Sequence, residues 1–186
     1  DLHLLSRRQR QMCIRDSYTY FKFRFDDQLR WHGADVQDLD AVFDMLLDYF
    51  NSAPMLTLAI GQGGDYIGGE KATRFNDGIQ PMRKAMNSFI CSVDRPFQFV
   101  GRINEDVNTY VLLGSRGGVF LSILQIGLDQ LETQSNSGGM TELYLDAGTY
   151  VKSFYTVMYC PSCVVVSAMG TAHRRLHHHI LSLIHI

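Results

Sequence analysis

The sequence lacks the features that would identify several classes of protein at first sight. Among its 186 residues it has four cysteines and four prolines, and no apolar run approaches the roughly 20 residues that cross a bilayer. Cysteines so few and so unevenly placed fit a reducing compartment better than a disulfide framework. The formal charge of -2 gives no global basic field for nucleic acid or membranes, although a local basic groove can lie on an acidic protein. We therefore expect a cytoplasmic protein without a membrane partner.

The two ends of the chain differ from the rest. Residues 7–17 and 181–186 resemble translated adapter read-through of the kind seen in metagenomic assemblies. The alternative is a basic or disordered N-terminal arm and an amphipathic C-terminal tail. We exclude residues 1–17 and 181–186 from the fold prediction and expect residues 18–180 to form one domain. This interpretation implies a truncated protein that lacks both natural termini.

A hydrophobic fraction of 46% is enough for a core, and strand and helix patterns alternate along the chain. Alternating aromatic and basic residues predict a strand at 20–25, and further strands are predicted at 55–60, 97–100, 119–128 and 163–168. Apolar stripes and caps predict helices from Asp35 or Asp38 to about 50, around 82–89, at 105–113 and from 141 to about 159. The residues of the last helix that are expected to face inward are Leu145, Val151, Phe154, Val157 and Met158. This alternation predicts an α/β fold whose sheet is covered on both faces.

Two acidic pairs are the first candidates for chemistry. Asp26 and Asp27 follow the first predicted strand, and adjacent carboxylates in a turn suit a hard divalent cation. Glu105 and Asp106 open a predicted helix, where acidic side chains also favour the helix dipole. On spacing alone, a solvated turn and a helix cap are the commoner explanations of these pairs.

Three further motifs carry weaker signals. Residues 61–69 contain five glycines, which indicates a flexible loop without the spacing of the nucleotide-binding glycine fingerprints. The C-x-x-C motif at 160–163 suits zinc or thiol chemistry, but buried thiols explain it better because the chain has no second such motif. A basic run near the C-terminus either faces solvent or supplies one metal ligand from among His173, His177 and His178.

Taken in order, these features resemble the phage TET-associated glycosyltransferases, enzymes of the GT-A kind. The family pattern is a strand ending in an aspartate cluster, an apolar strand with a glycine loop, a Glu-Asp pair opening a helix, and a Ser-Asn-x-Gly-Gly loop. The corresponding segments of this chain are Phe25–Leu29, Leu58–Gly61, Asn104–Asn108 and Gln134–Gly139. The resemblance spans about residues 20–160 and implies a GT-A-like mixed sheet with helices on both faces.

The resemblance implies a metal-dependent glycosyltransferase that moves a sugar from a nucleotide-sugar donor to a hydroxymethylated pyrimidine in phage DNA. Such an enzyme would act in the cytoplasm of the infected bacterium. Asp26 and Asp27 would hold Mn²⁺ or Mg²⁺ against the donor diphosphate. A histidine of the basic run, His178 in the first place, would complete the metal site by looser analogy with other GT-A enzymes.

The acceptor side of the site is implied in the same way. Glu105 or Asp106 would act as general base on the acceptor hydroxyl in an inverting displacement. The loop residues that would shape the acceptor or sugar pocket are Ser135, Asn136, Gly138 and Gly139.

The chain departs from the family pattern in two respects. Its aspartate cluster is Phe-Asp-Asp-Gln and not the fuller D-x-D form, and the N-terminal nucleotide-binding half of a GT-A domain is expected to be missing. The chain alone is therefore expected to bind little nucleotide sugar. The alternatives are a GT-A transferase with a glycan or protein acceptor, and a non-catalytic phage module for DNA interaction or structure whose acidic pairs are caps.

Overall fold

The structure is a computed structural model that describes seven segments of the chain. The described residues are 2–4, 19–25, 31–62, 78–81, 88–129, 150–169 and 175–181. The chain divides into two compact units, of which the first comprises residues 1–97 and 119–131 and the second comprises residues 98–118 and 132–186. That residues 18–180 form one domain stays a prediction.

The first unit is built on a mixed sheet. Its described strands are β1 (Leu2–Leu4), β2 (Thr19–Phe25), β3 (Trp31–Asp35), β4 (Thr57–Gln62), β5 (Ile79–Pro81), β6 (Phe89–Ser92) and β7 (Phe120–Asp129). They are arranged in the order β1-β6-β4-β7-β2-β3, and β5 also pairs with β7. The β4–β7 pair is parallel and the other pairs are antiparallel. Because β4 and β7 are parallel neighbours, both end at the same edge of the sheet.

The core of the first unit lies between helix α1 (Leu39–Asn51) and the sheet. The helix begins after Asp38, whose Oδ1 accepts a hydrogen bond from the Ala41 amide at 2.9 Å, as the sequence predicts. Leu46 and Phe50 of its apolar stripe are fully buried, and burial of such side chains stabilises a fold by about 1.5–3 kcal/mol each. The other buried members of this cluster are Met55, Leu58, Ile60, Ile90, Ile123, Ile126 and Leu128.

The second unit contains two helices and a strand pair among its described residues. These elements are α2 (Glu105–Gly114), α3 (Tyr150–Tyr159), β8 (Val164–Met169) and β9 (Arg175–Ile180). Helix α3 packs on α2 and on both strands of the antiparallel β8–β9 pair. Within the described segments of either unit, no helix has the length and apolar character that a membrane crossing requires.

Helix α2 ends where the glycines of the sequence predict. The Gly118 amide donates to the Leu113 carbonyl at 2.9 Å, and the Gly117 amide donates to the Gly114 carbonyl at 3.0 Å. These two bonds close a Schellman motif, which needs a residue in the left-handed conformation just beyond the helix. Gly117 supplies it with a φ of 90°.

The α/β prediction is confirmed, and most predicted elements are present. Strands β2, β4, β7 and β8 and helices α1, α2 and α3 lie within a few residues of their predicted positions. Residues 82–87 and 141–149, predicted as helix, lie outside the described residues, whereas Phe89 belongs to strand β6 and not to a helix. Asp35 ends β3 and is not the cap of α1.

The predicted strand at residues 97–100 is wrong. The Val100 amide donates to Thr109 Oγ1 at 2.9 Å, and its carbonyl accepts from Asn108 Nδ2 at 3.2 Å. A strand would pair these backbone groups with a neighbouring strand. Side chains of α2 bind them here, so the segment is held in an irregular conformation.

The predicted inward face of α3 is wrong for Phe154 and Met158, whereas Val151 and Val157 are half-buried. Phe154 and Met158 are 46% and 75% exposed, whereas Ser153 and Thr156 are 2% and 0% exposed. Leu145, expected on the same face, lies outside the described residues. The small hydroxyl side chains are buried because the face of α3 that meets α2 is polar, as the hydrogen bonds of the candidate site show.

Candidate functional site

The candidate bases Glu105 and Asp106 form the first turn of α2, and both are half-buried. Carboxylates are favoured at this end of a helix by the backbone dipole. The preceding residue, Asn104, has φ 55° and ψ 33°, a left-handed conformation that asparagine tolerates better than most residues. Its side chain does not cap α2 but donates to Thr156 Oγ1 of α3 at 2.7 Å. The residue that precedes both carboxylates is therefore hydrogen-bonded to helix α3.

A buried side-chain network continues from this contact. Asn108 is 0% exposed, and its Nδ2 donates to the carbonyls of Ile103 at 2.9 Å and Val100 at 3.2 Å. Its Oδ1 accepts from Thr156 Oγ1 at 2.8 Å, so each polar atom of the Asn108 amide has a partner. A buried polar network that is fully satisfied fixes one arrangement of the backbone, because every alternative leaves a polar group unpaired. Side chains of both α2 and α3 therefore form the hydrogen bonds that fix the residues preceding Glu105.

Two further contacts fix the same segment. Thr109 Oγ1 accepts from the Val100 amide and donates to the Glu105 carbonyl. Gly101 has a φ of 80°, and a Cβ there would lie 2.8 Å from Cε2 of Tyr159 and 3.1 Å from Nδ2 of Asn108. Glycine is required at this position both for the backbone angle and for the close approach of Tyr159.

This arrangement gives α2 a rigidly held N-terminal turn with two partly exposed carboxylates. A carboxylate in such a position can accept a proton from a hydroxyl group placed within hydrogen-bond distance. The geometry suits the role predicted for Glu105 or Asp106, and the role itself stays a prediction.

A separate candidate site lies in the first unit, at the edge of the sheet where β4 and β7 end. Ligands of open α/β sheets bind outside the carboxyl ends of the strands. Gly61 and Gln62, predicted as the start of the glycine loop, are the last two residues of β4, and the rest of that loop follows β4 in the sequence. The predicted pocket loop at 134–139 follows β7 in the sequence. Residues 63–69 lie outside the described residues, and so do Ser135, Asn136, Gly138 and Gly139.

A bulge in β7 lies next to this edge. Ile60 is paired with Ile123 but Gly61 with Gly127, so β7 contains extra residues between these two pairs. Gln125, in the bulge, is exposed although its neighbours on both sides in β7 are buried. Bulges near active sites commonly re-aim one side chain, which makes Gln125 a candidate ligand-contacting residue. The sequence signal is a glutamine flanked by apolar residues on both sides in this strand.

Gly78 lies in close contact with the Gln125 side chain. It has a φ of 66°, and a Cβ there would lie 2.0 Å from Gln125 Nε2. Its carbonyl accepts from the Leu124 amide at 2.8 Å. The chain returning from the glycine loop thus passes directly against the bulge, and a larger residue in place of Gly78 would displace the Gln125 amide.

The predicted metal ligands Asp26 and Asp27 lie outside the described residues, in the connection between β2 and β3. Strand β2 is antiparallel to β7 and begins opposite its end, with Thr19 paired to Asp129. At about 3.3 Å per residue, the other end of β2 is on the order of 20 Å from that pair. The strand end that precedes the aspartates therefore points away from the edge where β7 ends. Their role as metal ligands stays a prediction.

The histidines of the basic run lie partly in β9. The rings of His177 and His178 are stacked with centroids 4.4 Å apart, and His177 Nδ1 lies 2.7 Å from the His178 carbonyl oxygen. His173 is outside the described residues. Within the described segments, no group of three or more His, Cys, Asp or Glu side chains is arranged to hold a metal ion. Metal ligation by His178 stays a prediction.

Comparison with known proteins gives one match. The model of a family described as TET-Associated Glycosyltransferase matches residues 4–139, which is more than half of the chain. The matched range contains both acidic pairs, the bulge and the predicted pocket loop, and it ends before α3 and His178. Neither the curated proteins nor the solved structures gave a significant match.

Proposed function

The chain belongs to the TET-associated glycosyltransferase family, and on this premise we propose that it transfers a sugar from a nucleotide-sugar donor to a hydroxymethylated pyrimidine in phage DNA. The observation that carries the proposal is the family match over residues 4–139, because it includes the motifs in their expected order. A glycosyltransferase of this kind needs a base for the acceptor hydroxyl, a pocket for the donor and a means of stabilising the leaving diphosphate.

The acceptor base in this proposal is Glu105 or Asp106. The carboxylate takes the proton of the hydroxymethyl group, the freed oxygen forms a bond to the anomeric carbon of the sugar, and the bond from that carbon to the diphosphate oxygen breaks. The leaving electron pair stays on the diphosphate. The hydrogen bonds of Asn104 and Asn108 support this role, since a base must be held at a fixed distance from the proton that it accepts.

The sheet edge where β4 and β7 end is the proposed place for the acceptor or sugar pocket. Ser135, Asn136, Gly138 and Gly139, which follow β7 in the sequence, are the proposed residues of this pocket. Glycines let the backbone approach a ligand closely. The exposed amide of Gln125, in the bulge next to this edge, can donate or accept a hydrogen bond.

A divalent cation belongs to the proposal through the family resemblance. Asp26 and Asp27 carry oxygen ligands of the kind that Mn²⁺ or Mg²⁺ prefers, and His178 is the proposed third ligand. The family resemblance and the oxygen chemistry of these side chains support the metal, although β2 ends on the order of 20 Å from the sheet edge proposed for the sugar pocket. When bound, such a cation would neutralise charge on the leaving diphosphate.

The test is an incubation of the protein expressed from its complete gene with hydroxymethylcytosine DNA and a panel of nucleotide sugars, followed by mass spectrometry of the digested nucleosides. We expect one donor to add the mass of its sugar to hydroxymethylcytosine. The test includes the variants Glu105→Gln and Asp106→Asn. The variant that removes the base should lower kcat by about 10²–10⁴-fold. Asp40→Asn is the matched control, because Asp40 is an exposed acid in the first turn of another helix, α1.

The outcomes separate the alternatives. Transfer to a glycan or protein, but not to DNA, would support a GT-A transferase with another acceptor. No transfer from any donor to any acceptor would favour a non-catalytic module in which Glu105 and Asp106 are helix caps. Full activity of both carboxylate variants would refute their role as base even if the protein transfers sugar.

A further inference from the structure

The second unit contains a cysteine pair that the proposed transferase chemistry does not use. Cys160 and Cys163 flank Pro161 and Ser162 directly after α3. The Cys163 amide donates to the Cys160 carbonyl at 3.1 Å, which closes a four-residue turn with proline at its second position. The first and fourth Cα atoms of such a turn are less than about 7 Å apart. This separation falls in the range that a disulfide bond spans.

The two thiols differ in their surroundings. Cys160 is 7% exposed, and its thiol is within hydrogen-bonding reach of the side chains of Cys163, Ser115 and Ser162. Burial, and after it the hydrogen bond with Cys163, raises the pKa of the Cys160 thiol above its ordinary value. Cys163 is partly exposed, and Ser162 Oγ lies 3.7 Å from its sulfur. The Cys163 thiol is therefore accessible to a reagent from solvent, and the buried Cys160 thiol lies next to it.

We propose that Cys160 and Cys163 are a redox-active dithiol that exchanges with low-molecular-weight disulfides of the glutathione disulfide class. The Cys163 thiolate attacks the small disulfide, forms a mixed disulfide and releases one thiol. Cys160 loses its proton and attacks the Cys163 sulfur, which forms the internal disulfide and releases the second thiol. The protein loses two electrons and two protons, and the small disulfide is reduced to two thiols.

The geometry favours this use of the pair over zinc binding or inert packing. A structural zinc site needs four ligands, and among the described residues no group of three or more suitable side chains is present. Inert packing alone gives no reason for the two thiols to lie within hydrogen-bonding reach of each other. Cys91 of β6 provides an internal comparison, because it is a buried thiol whose pKa is also raised by burial.

The test uses the full chain. The protein is reduced, the reductant is removed, and the protein is then incubated with glutathione disulfide. Trypsin cleaves after Lys152 and Arg174, so both cysteines fall in one peptide, residues 153–174, which contains no other cysteine. Intramolecular oxidation should lower the mass of this peptide by two hydrogens and protect both thiols from alkylation. The cysteine of the peptide that contains Cys91 should remain reduced under the same conditions.

Two variants test the order of the steps. Cys160→Ser should stop at the mixed disulfide on Cys163, because the second thiol is missing. Cys163→Ser should react with glutathione disulfide at least about tenfold more slowly, because the remaining thiol is buried. The proposal is overturned if the 153–174 peptide keeps two alkylatable thiols, if the wild-type chain accumulates only mixed disulfides, or if both variants react at equal rates. The wild-type measurement decides the first two outcomes even if a variant fails to fold.

Discussion

Gly101 and Gly117 both have positive φ angles, yet their surroundings differ. A Cβ on Gly117 would meet nothing within 4 Å, whereas a Cβ on Gly101 would lie 2.8 Å from Tyr159 Cε2 and 2.9 Å from its hydroxyl oxygen. An L-residue in the left-handed region costs roughly 1–2 kcal/mol from its backbone alone. At Gly117 this is the whole cost of a larger residue, and at Gly101 the steric clash adds to it.

We therefore expect Gly117→Ala to lower the free energy of unfolding by about 1 kcal/mol. Gly101→Ala should lower it by about 3 kcal/mol, because overpacking adds a further cost of about 1–3 kcal/mol. Urea denaturation of the two variants beside the parent protein measures both values. Equal losses for the two variants would show that Tyr159 does not press on Gly101 in solution.

At the scale of elements, an apolar pattern predicts the position of a strand or helix. The prediction fails where polar contacts determine which residues are buried. The apolar run at 55–60 predicts strand β4, Thr57–Gln62, within two residues. Strand β9, Arg-Leu-His-His-His-Ile, has no such run and depends on its pairing with β8. The apolar stripe of α3 assigned Phe154 and Met158 to the interior, because the stripe rule places polar residues in solvent. Ser153 and Thr156 are buried all the same, because α2 offers a polar face to this helix.

A single hydroxyl group of α3 forms hydrogen bonds to both α2 and its N-cap residue. Thr156 Oγ1 donates to Asn108 Oδ1 and accepts from Asn104 Nδ2. Thr156→Val keeps the shape of the side chain but leaves two polar groups unpaired, and we expect it to lower the free energy of unfolding by about 2–4 kcal/mol. Chemical denaturation followed by circular dichroism measures this change.

Thr156→Ser is the matched control, because it keeps the hydroxyl and removes one methyl group. Its loss should be about 1 kcal/mol, as for other single-methyl deletions. If the Asn104 contact also holds the base in place, the kcat of the proposed transfer should fall for the valine variant and recover for the serine variant. Equal stability of the two variants would contradict a role for the hydroxyl group.

At the scale of the whole molecule, the order of short motifs predicts more than any single motif does. Glu105 and Asp106 alone are an ordinary helix start, and the structure does place them in a first helical turn. Their order relative to the other motifs indicated the family, and the match over residues 4–139 confirms it. The network around Thr156 could not be predicted, because it joins side chains 48 residues apart. The bulge at Gln125 could not be predicted either, because it depends on the register of two strands.

The metal is the part of the whole-molecule proposal that depends most on resemblance, and it has a direct test. If a divalent cation stabilises the leaving diphosphate, a chelator should lower sugar transfer by about 10²-fold or more, and added Mn²⁺ or Mg²⁺ should restore it. Asp26→Asn and Asp27→Asn should each cause a comparable loss that excess cation partly reverses. Asp44→Asn, on the exposed face of α1, should behave like the parent. Sugar transfer that is insensitive to the chelator would remove the metal from the mechanism, and full activity of both asparagine variants would assign any metal to other ligands.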